Sequence, residues 1–197
     1  MLSFIRKCVN KTRAKILFKK KSGSIVKILR INGIDRIQVG KGVRILENSR
    51  IDIYKTFNNQ KFNPALILKD GCIIANNFTC IVTDQCVIGE NTIIAHNVSI
   101  ITENHGINPE SQVPFHAQDL VHGDIVIGSN CWIGCNAVLL PGCQLGDNCV
   151  VAANAVVNKK FGNDTMVGGV PARVLKRYDR NRHEWVRADD KTVEICK

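Results

Sequence analysis

The stretch that decides the fold is IVIGSNCWIGCNAVLLPGCQLGDNCVVAANAVV, which spans residues 125–157. An aliphatic side chain returns there at every sixth position, in the series Ile127, Ile133, Leu139, Leu145, Val151 and Val157. This period matches neither a helix, whose period is about 3.6, nor an alternating strand, whose period is about 2. It predicts a parallel β-helix, a solenoid of short strands with about 18 residues in each coil.

Each position of the repeat has a physical reason. The aliphatic side chain points into a narrow interior, and the position two residues before it has room only for a small side chain. These small residues are Cys131, Ala137, Cys143, Cys149 and Ala155. Glycine or asparagine near the corners supplies the backbone freedom that sharp turns need. The repeat therefore predicts both the buried side chains and the turns.

The same period extends weakly toward the N-terminus and is interrupted twice. It begins near Val39 and resumes at Leu68, after a polar stretch, 54–64, that reads as a loop. It slips by two residues near Cys80, which is typical of a bulge. The second interruption, residues 102–124, is polar and carries three of the five histidines. A long loop on a rigid scaffold is a usual place for chemistry, so we expect the active site there.

Composition indicates one ordinary globular domain. The chain has 197 residues, of which 45% are hydrophobic. It contains no apolar run near the roughly 18 residues of a membrane span, and no signal peptide is recognisable. The nine cysteines lack a CxxC pair, and five occupy small inward positions of the repeat: Cys72, Cys86, Cys131, Cys143 and Cys149. Together these features predict reduced thiols in a cytoplasmic protein.

Residues 1–30 carry ten lysines and arginines and no acidic residue, so their charge equals the net charge of +10 of the whole chain. We expect a basic helix with one apolar face in this segment. We expect this helix to pack on the exposed end of the solenoid, because helices commonly cover that edge. The alternative is weak peripheral contact with an anionic membrane surface. Nucleic acid is not predicted as a partner, because no aromatic residues are interleaved with the basic ones.

The predicted fold class is all-β, a hexapeptide-repeat solenoid with short helical segments at both ends and one long active-site loop. The basic N-terminal helical segment covers 1–34, and the β-helix domain covers 35–170 with the active-site loop at 102–124. The charged C-terminal segment, 171–197, is predicted to be a helical tail.

Four features occur together between about Ile67 and Lys176: the hexapeptide array, the Asn104-His105-Gly106 loop, the IVIGSNCWIG block and the GGVPARV ending. In combination they resemble the left-handed β-helix acyltransferases, in the branch of galactoside, maltose and bacterial polysaccharide O-acetyltransferases. The left hand of the helix is implied by the resemblance alone, because parallel crossovers are normally right-handed. The resemblance also implies a homotrimer that binds acetyl-CoA in a groove between subunits.

The catalytic histidine of the family falls on His105, and the residues that flank it match the family position. A neutral imidazole suits a general base that takes the proton of an attacking hydroxyl. For the acceptor, the candidates are Asn76, Trp132 and Glu103, and Glu103 could also orient the imidazole. Asn76 could instead cap a turn, and Trp132 could instead be buried under the loop or in a subunit contact.

The resemblance implies six positions that contact acetyl-CoA: Gly134, Cys135, Ala153, Asn158, Lys159 and Arg173. Cys135 departs from the serine or alanine of the family pattern. The histidines His96, His105, His116 and His122 suggest an alternative zinc site of the γ-type carbonic anhydrase kind. The close histidine spacing of that family is absent, so no metal is expected, and His116 and His122 are expected near the acceptor.

The sequence therefore predicts a homotrimeric, acetyl-CoA-dependent O-acetyltransferase. Its acceptor is a hydroxyl of a sugar or glycan, the transfer is direct, and the expected role is modification of surface polysaccharide or saccharide. An alternative within enzymes is N-acetylation of an amino sugar or a nucleotide-linked sugar. The alternative from another class is a catalytically inactive structural solenoid, against which His105 and the intact coenzyme-binding tail argue.

Overall fold

The computed structural model describes residues 2–188, with side chains from residue 9 onward. Its α-helix, Leu2–Lys20, is followed by successive coils, each of which adds one short strand to each of three sheets. We name the sheets A, B and C in the order in which a coil visits them. Within the described residues, no helix is both long enough and apolar enough to cross a membrane.

The three sheets form the faces of the solenoid. Sheet A contains Ser24–Ile25, Arg44–Ile45, Ile73–Ile74, Ile93–Ile94, Trp132–Ile133, Val150–Val151, Thr165–Gly169, Ala172–Asp179 and Glu184–Arg187. Sheet B contains Arg30–Ile31, Arg50–Ile53, Thr79–Val82, Ser99–Ile101, Val138–Leu139 and Val156–Val157. Sheet C contains Ile37–Val39, Ala65–Leu68, Gln85–Ile88, Ile125–Ile127, Gln144–Leu145 and Lys160–Phe161. Short 3-10 helices lie at Ile34–Arg36 and Phe115–Ala117.

Two antiparallel hairpins project from the corner between sheets B and C. The first pairs Thr56–Phe57 with Gln60–Lys61 and lies in the polar stretch 54–64, for which a loop is predicted. The second pairs Glu103–His105 with Leu120–His122 and forms the neck of the predicted active-site loop. Both interruptions of the repeat are therefore insertions at the same corner of the prism.

The predicted register of the repeat is confirmed by burial. The six aliphatic residues from Ile127 to Val157 are all buried, as are the small residues two places before them. The slip lies between sheets B and C, where the inward residues Cys80 and Ile88 are eight positions apart instead of six. Cys80 itself occupies an aliphatic position, since it lies beside Ile51 and Ile100 of the neighbouring coils.

Asparagines turn the chain at the corner between sheets A and B. The backbone is left-handed there, with φ near 60° at Asn77, Asn97, Asn136 and Asn154. Asparagine tolerates this conformation better than other residues that carry a Cβ. The amide side chains also donate to one another from coil to coil, with N–O distances of 2.8, 3.0 and 3.1 Å along the ladder. Each turn is thus stabilised by the turns of the adjacent coils.

The N-terminal helix packs on the open end of the solenoid, as predicted. Ala14 and Phe18 are fully buried, and the helix contacts the first strands of sheets A and B. The buried end would otherwise expose the apolar interior and the unpaired edges of the first coil. The first coil begins at Ser24, so strands already occupy the last part of the segment 1–34.

The prediction of a C-terminal helix in 171–197 is wrong for the described residues. Ala172–Asp179 and Glu184–Arg187 form antiparallel strands that extend sheet A, and residues 189–197 lie outside the described part. The physical reason is the open edge of the preceding strand, Thr165–Gly169, whose backbone groups need partners. Trp185 packs edge-on against Tyr178, with 5.5 Å between ring centroids.

The inward cysteines are buried, which confirms the structural role that the repeat assigns to them. Cys72, Cys86, Cys131, Cys143 and Cys149 are at most 2% exposed. Burial raises the pKa of Cys72 to about 11 and that of Cys143 to about 12. Both thiols are therefore protonated and unreactive at neutral pH. Cys135 is different, because it lies on the surface side of a turn and is only half-buried.

Candidate active site

The active-site loop leaves the solenoid through a closed neck. The buried hydroxyl of Thr102 accepts a hydrogen bond from the backbone N–H of Thr83 at 2.8 Å. At the other end of the neck, the N–H of Gly123 donates to the carbonyl of Thr102 at 2.9 Å. Beyond the neck, the buried side chain of Gln118 accepts from the N–H of Asn108 at 3.0 Å and donates back to its carbonyl at 2.9 Å. The loop is thus held at its base and near its tip.

His105 ends the first strand of the loop hairpin, where its exposed imidazole faces solvent. The ring contacts Phe57 edge-on, with 5.5 Å between centroids. No hydrogen bond joins the imidazole to any other described residue. Glu103 lies two positions away, and burial raises the pKa of its carboxyl, although the nearby charge of His105 opposes that shift. The two side chains are close enough to interact electrostatically without a direct hydrogen bond.

The hairpin formed by Thr56–Phe57 and Gln60–Lys61 holds the strand that pairs with the strand of His105. We call Thr56–Lys61 the clasp hairpin. Its Gln60 side chain accepts from the N–H of Leu120 at 2.7 Å and donates to the carbonyl of Leu120 at 3.1 Å. Leu120 is the cross-strand partner of His105. The clasp hairpin therefore fixes the backbone beside the imidazole, a role that nothing in the sequence pattern identifies.

The remaining histidines have separate surroundings. His122 Nδ1 lies 2.6 Å from Asp84 Oδ2, and its ring packs on Phe62 at 5.1 Å between centroids. His116 is exposed in the 3-10 turn of the loop, whereas His96 is exposed at the corner between sheets A and B. Among the described residues, no three side chains of metal-ligating type form a cluster.

A groove of about 280 Å³ runs along sheet A beside the corner with sheet B. Four of the predicted site residues line it, namely Trp132, Gly134, Cys135 and Ala153. Trp132 is 58% exposed and lies between Ile93 and Val150 of the adjacent coils. A Cβ at Gly134 would lie 2.6 Å from the backbone nitrogen of Ala153, so only glycine permits this close approach of the coils. The groove is narrow, largely apolar and open to solvent.

The other predicted site residues are distributed over two edges of the solenoid. Arg173 lies in the terminal hairpin of sheet A, where its guanidinium donates to the carbonyl of Ala172 at 2.9 Å. Asn158 and Lys159 are exposed at the corner between sheets B and C, with the Lys159 ammonium 5.6 Å from the centre of the Phe161 ring. Asn76 accepts from the N–H of Glu47 at 3.1 Å, which is the contact expected of a turn-capping asparagine.

The groove and His105 therefore lie on opposite sides of sheet B. The groove precedes sheet B along each coil, and the active-site loop follows it. Large apolar side chains are exposed on both sides, including Ile93 beside the groove and Ile107, Phe115 and Val121 in the loop. Exposed apolar patches of this kind commonly mark a surface that another protein molecule covers.

The sequence of the chain is similar to those of known bacterial transferases. The bacterial transferase hexapeptide family (six repeats) matches residues 124–159. The chain is 32% identical to WbbJ of Escherichia coli K12, which bears the name of a lipopolysaccharide biosynthesis O-acetyl transferase, over 64% of this chain and 68% of WbbJ. It is 36% identical to the galactoside O-acetyltransferase of the same organism, over 55% of this chain and 53% of that protein.

A solved structure agrees with these sequence relatives. A hexapeptide-repeat-containing acetyltransferase of Vibrio cholerae, complexed with acetyl coenzyme A, is 32% identical to the chain. It superimposes with a TM-score of 0.54 over 58% of this chain and 61% of that one. The predicted fold, a left-handed parallel β-helix, is confirmed.

Proposed function

Because the chain belongs to the hexapeptide-repeat acetyltransferases, which use acetyl-CoA, we propose that it acetylates a hydroxyl of a sugar or glycan. The observation that carries this proposal is the pairing of an apolar groove of about 280 Å³ with a solvent-facing imidazole on the one long loop. The names of WbbJ and the galactoside enzyme support an oxygen acceptor on a saccharide. A cytoplasmic location and a role in surface polysaccharide or saccharide modification complete the proposal.

In this mechanism His105 is the general base. Its neutral imidazole takes the proton of the acceptor hydroxyl, and the oxygen attacks the thioester carbonyl of acetyl-CoA. The tetrahedral intermediate then expels the thiolate of CoA, which receives the proton from the imidazolium. Transfer is direct, so Cys135 is not required as a nucleophile. The absence of a hydrogen bond between the imidazole and any described residue supports this role, because the ring is free to contact the substrate.

The groove is the proposed site for the pantetheine arm. The small residues Gly134 and Ala153 leave space for a linear chain, and Trp132 provides an aromatic wall. Arg173, in the terminal hairpin of sheet A, is suited to bind the phosphates of the coenzyme, and Lys159, which lies on the His105 side of sheet B, would contribute from the neighbouring subunit. Asn76 and Glu103 remain candidates for contact with the acceptor.

We propose that the complete site forms between subunits of a homotrimer. Sheet B separates the groove from His105 within one chain, so one subunit would supply the groove and its neighbour the base. The exposed apolar residues on both sides of sheet B support this arrangement, since each would cover the other.

The acceptor class is tested by incubating the protein with acetyl-CoA and a panel of glycans, amino sugars and nucleotide-linked sugars. Free thiol reports turnover, and mass spectrometry reports the gain of one acetyl group on the acceptor. A glycan product that loses its acetyl group in mild base supports an ester, whereas a base-stable product on an amino sugar identifies N-acetylation. Binding of acetyl-CoA without any product across the panel would favour a scaffold that has lost activity.

Cys135 allows the position of the coenzyme to be tested directly. We expect N-ethylmaleimide to label Cys135 in the native protein and saturating acetyl-CoA to slow this labelling by about tenfold or more, because a bound pantetheine covers the groove. The buried cysteines Cys72, Cys143 and Cys149 serve as internal controls, and peptide mass spectrometry reports each site separately. Rapid native labelling of these controls would contradict the register, and unchanged labelling of Cys135 would contradict the coenzyme position.

Gln60 provides a test of the clasp hairpin. Gln60→Ala removes both hydrogen bonds to Leu120, so the strand beside His105 loses its support. We expect kcat to fall by about 10- to 100-fold, since small misplacements of a catalytic group have effects of that size. The Kd of acetyl-CoA is expected to stay the same, because Gln60 contacts the active-site loop and none of the residues that line the groove. Gln112→Ala, which changes an exposed glutamine of the active-site loop, is the matched control and is expected to retain wild-type kcat. An equal loss in both variants would contradict a specific role for Gln60.

A further inference from the structure

The N-terminal helix has a solvent-facing side that the solenoid does not use. Ala14 and Phe18 lie on the buried side. With about 100° of rotation per residue, Val9 and Ile16 fall at the centre of the opposite side. Their side chains are 48% and 51% exposed, which is unusual for large aliphatic residues on a helix that already has an apolar packing face.

Cations flank these two aliphatic residues on both sides. The same helical geometry places Arg13 and Lys20 along one flank and Lys15 and Lys19 along the other, and all four are exposed. The sequence contains no acidic residue before Asp35 that could neutralise them. The exposed face of the helix therefore presents two aliphatic side chains and the exposed Thr12 between two rows of positive charge.

We propose that this face binds the surface of an anionic lipid bilayer, with the helix axis parallel to the membrane plane. Such a helix inserts its aliphatic side chains at the level of the headgroups, and its flanking lysines and arginines contact the lipid phosphates. Charge complementarity supports this partner, since all the exposed charges of the face have one sign. A nucleic acid would satisfy the cations but would not bury the aliphatic side chains, and among the described side chains of the helix, from residue 9 onward, the exposed face carries no aromatic residue for base stacking.

The proposed homotrimer would strengthen this binding. Three subunits with a common direction of the solenoid axis present their helices on one side, so several weak contacts act together. The gain from several helices that act together rests on the proposed homotrimer, whereas binding by a single helix does not. The inference is independent of acetyl transfer and of the choice of acceptor.

Vesicle flotation of the full chain tests the inference. Vesicles of phosphatidylcholine with about one third phosphatidylglycerol are compared with vesicles of phosphatidylcholine alone, at low and high salt. We expect binding to the anionic vesicles only, with a loss at high salt because surface charges are screened. Removal of one exposed lysine near the membrane surface is expected to lower the partition coefficient by about fivefold.

Two helix variants and one matched control distinguish membrane binding through this helix face from an effect of the net charge of the protein. Lys15→Gln with Lys19→Gln is expected to weaken binding by about 25-fold. Lys41→Gln with Lys69→Gln removes the same charge from an exposed corner of the solenoid and is expected to bind like the wild type. Val9→Ser with Ile16→Ser, which keeps every charge, is expected to weaken binding by about tenfold or more.

Three outcomes would overturn the inference: equal binding to neutral vesicles, equal losses in the two lysine pairs, and vesicle binding that survives the serine substitutions. Binding of a duplex oligonucleotide that displaces the vesicles and survives the serine substitutions would identify nucleic acid as the partner instead. Circular dichroism confirms that each variant is folded. Because no acceptor or acetyl-CoA is present, a negative result leaves the proposed function untouched, and failure of acetyl transfer leaves this result unaffected.

Discussion

His105→Ala is expected to lower kcat by about 10²- to 10⁴-fold while the Kd of acetyl-CoA changes little. The loss is large because no other group would remove the proton of the attacking hydroxyl. Binding of the coenzyme survives because the residues that line the groove, and not the imidazole, are proposed to hold the pantetheine arm. The measurement is single-turnover acetyl transfer combined with calorimetric titration of acetyl-CoA.

His116→Ala is the matched control for His105→Ala. His116 is an exposed histidine of the same loop, and its removal is expected to affect the KM for the acceptor more than kcat. Near-normal turnover in His105→Ala would eliminate the assignment, and the base would then have to be sought at His116 or His122. A loss of acetyl-CoA binding in His105→Ala would indicate instead that the loop itself forms part of the coenzyme site.

Mixed trimers of two inactive variants are expected to recover activity. Ala153→Trp fills the groove and abolishes acetyl-CoA binding, and His105→Ala removes the base, so each homotrimer is inactive. If a site takes its base from one subunit and its groove from the next, equal co-expression restores about a quarter of the sites over all trimers and about a third of the sites in trimers that contain both chains. Ala153 is exposed, so the larger side chain is accommodated without disturbing the core. Activity is measured on tandem-tagged complexes that contain both chains.

The control is a chain that carries both substitutions, co-expressed with the wild type. In that mixture only sites built from two wild-type neighbours work, so the double variant can dilute activity but never restore it. Complexes of Ala153→Trp with His105→Ala that stay inactive would show that base and groove act within one chain. Sedimentation of an active monomer would lead to the same conclusion.

The fold could be predicted from the sequence because a solenoid is built from local repeats. Each coil contacts only its neighbours, so the environment of a residue such as Ile133 or Cys143 is determined by its place in the six-residue unit. The burial of both residues follows directly. The same reasoning located the slip near Cys80, since a departure from a regular period is visible in the sequence itself.

The prediction was wrong where the repeat ends. Residues after Pro171 have no period of six, and their charge suggested a helix. In the structure, Ala172–Asp179 pairs with the open edge of Thr165–Gly169. Local preference was overridden by a tertiary demand, namely the unpaired backbone groups of the last sheet A strand.

Candidate site residues were only partly accessible from the sequence. The repeat register and the family resemblance together identified Trp132, Gly134 and Ala153, and the structure brings them into one groove. Gln60 was missed because its partner, Leu120, is sixty residues away and contacts it through backbone atoms. A backbone contact of this kind leaves no trace in residue type.

By itself, the sequence determined the period of six, the inward side chains and the corner asparagines, because these depend on neighbours at fixed spacing. Only the tertiary structure decided on which side of sheet B each site residue lies. That separation depends on how many residues each corner inserts, and both long insertions occur at the corner between sheets B and C. His105 is therefore carried away from the groove of its own chain, and this distance is the physical reason why a neighbouring subunit enters the proposed site.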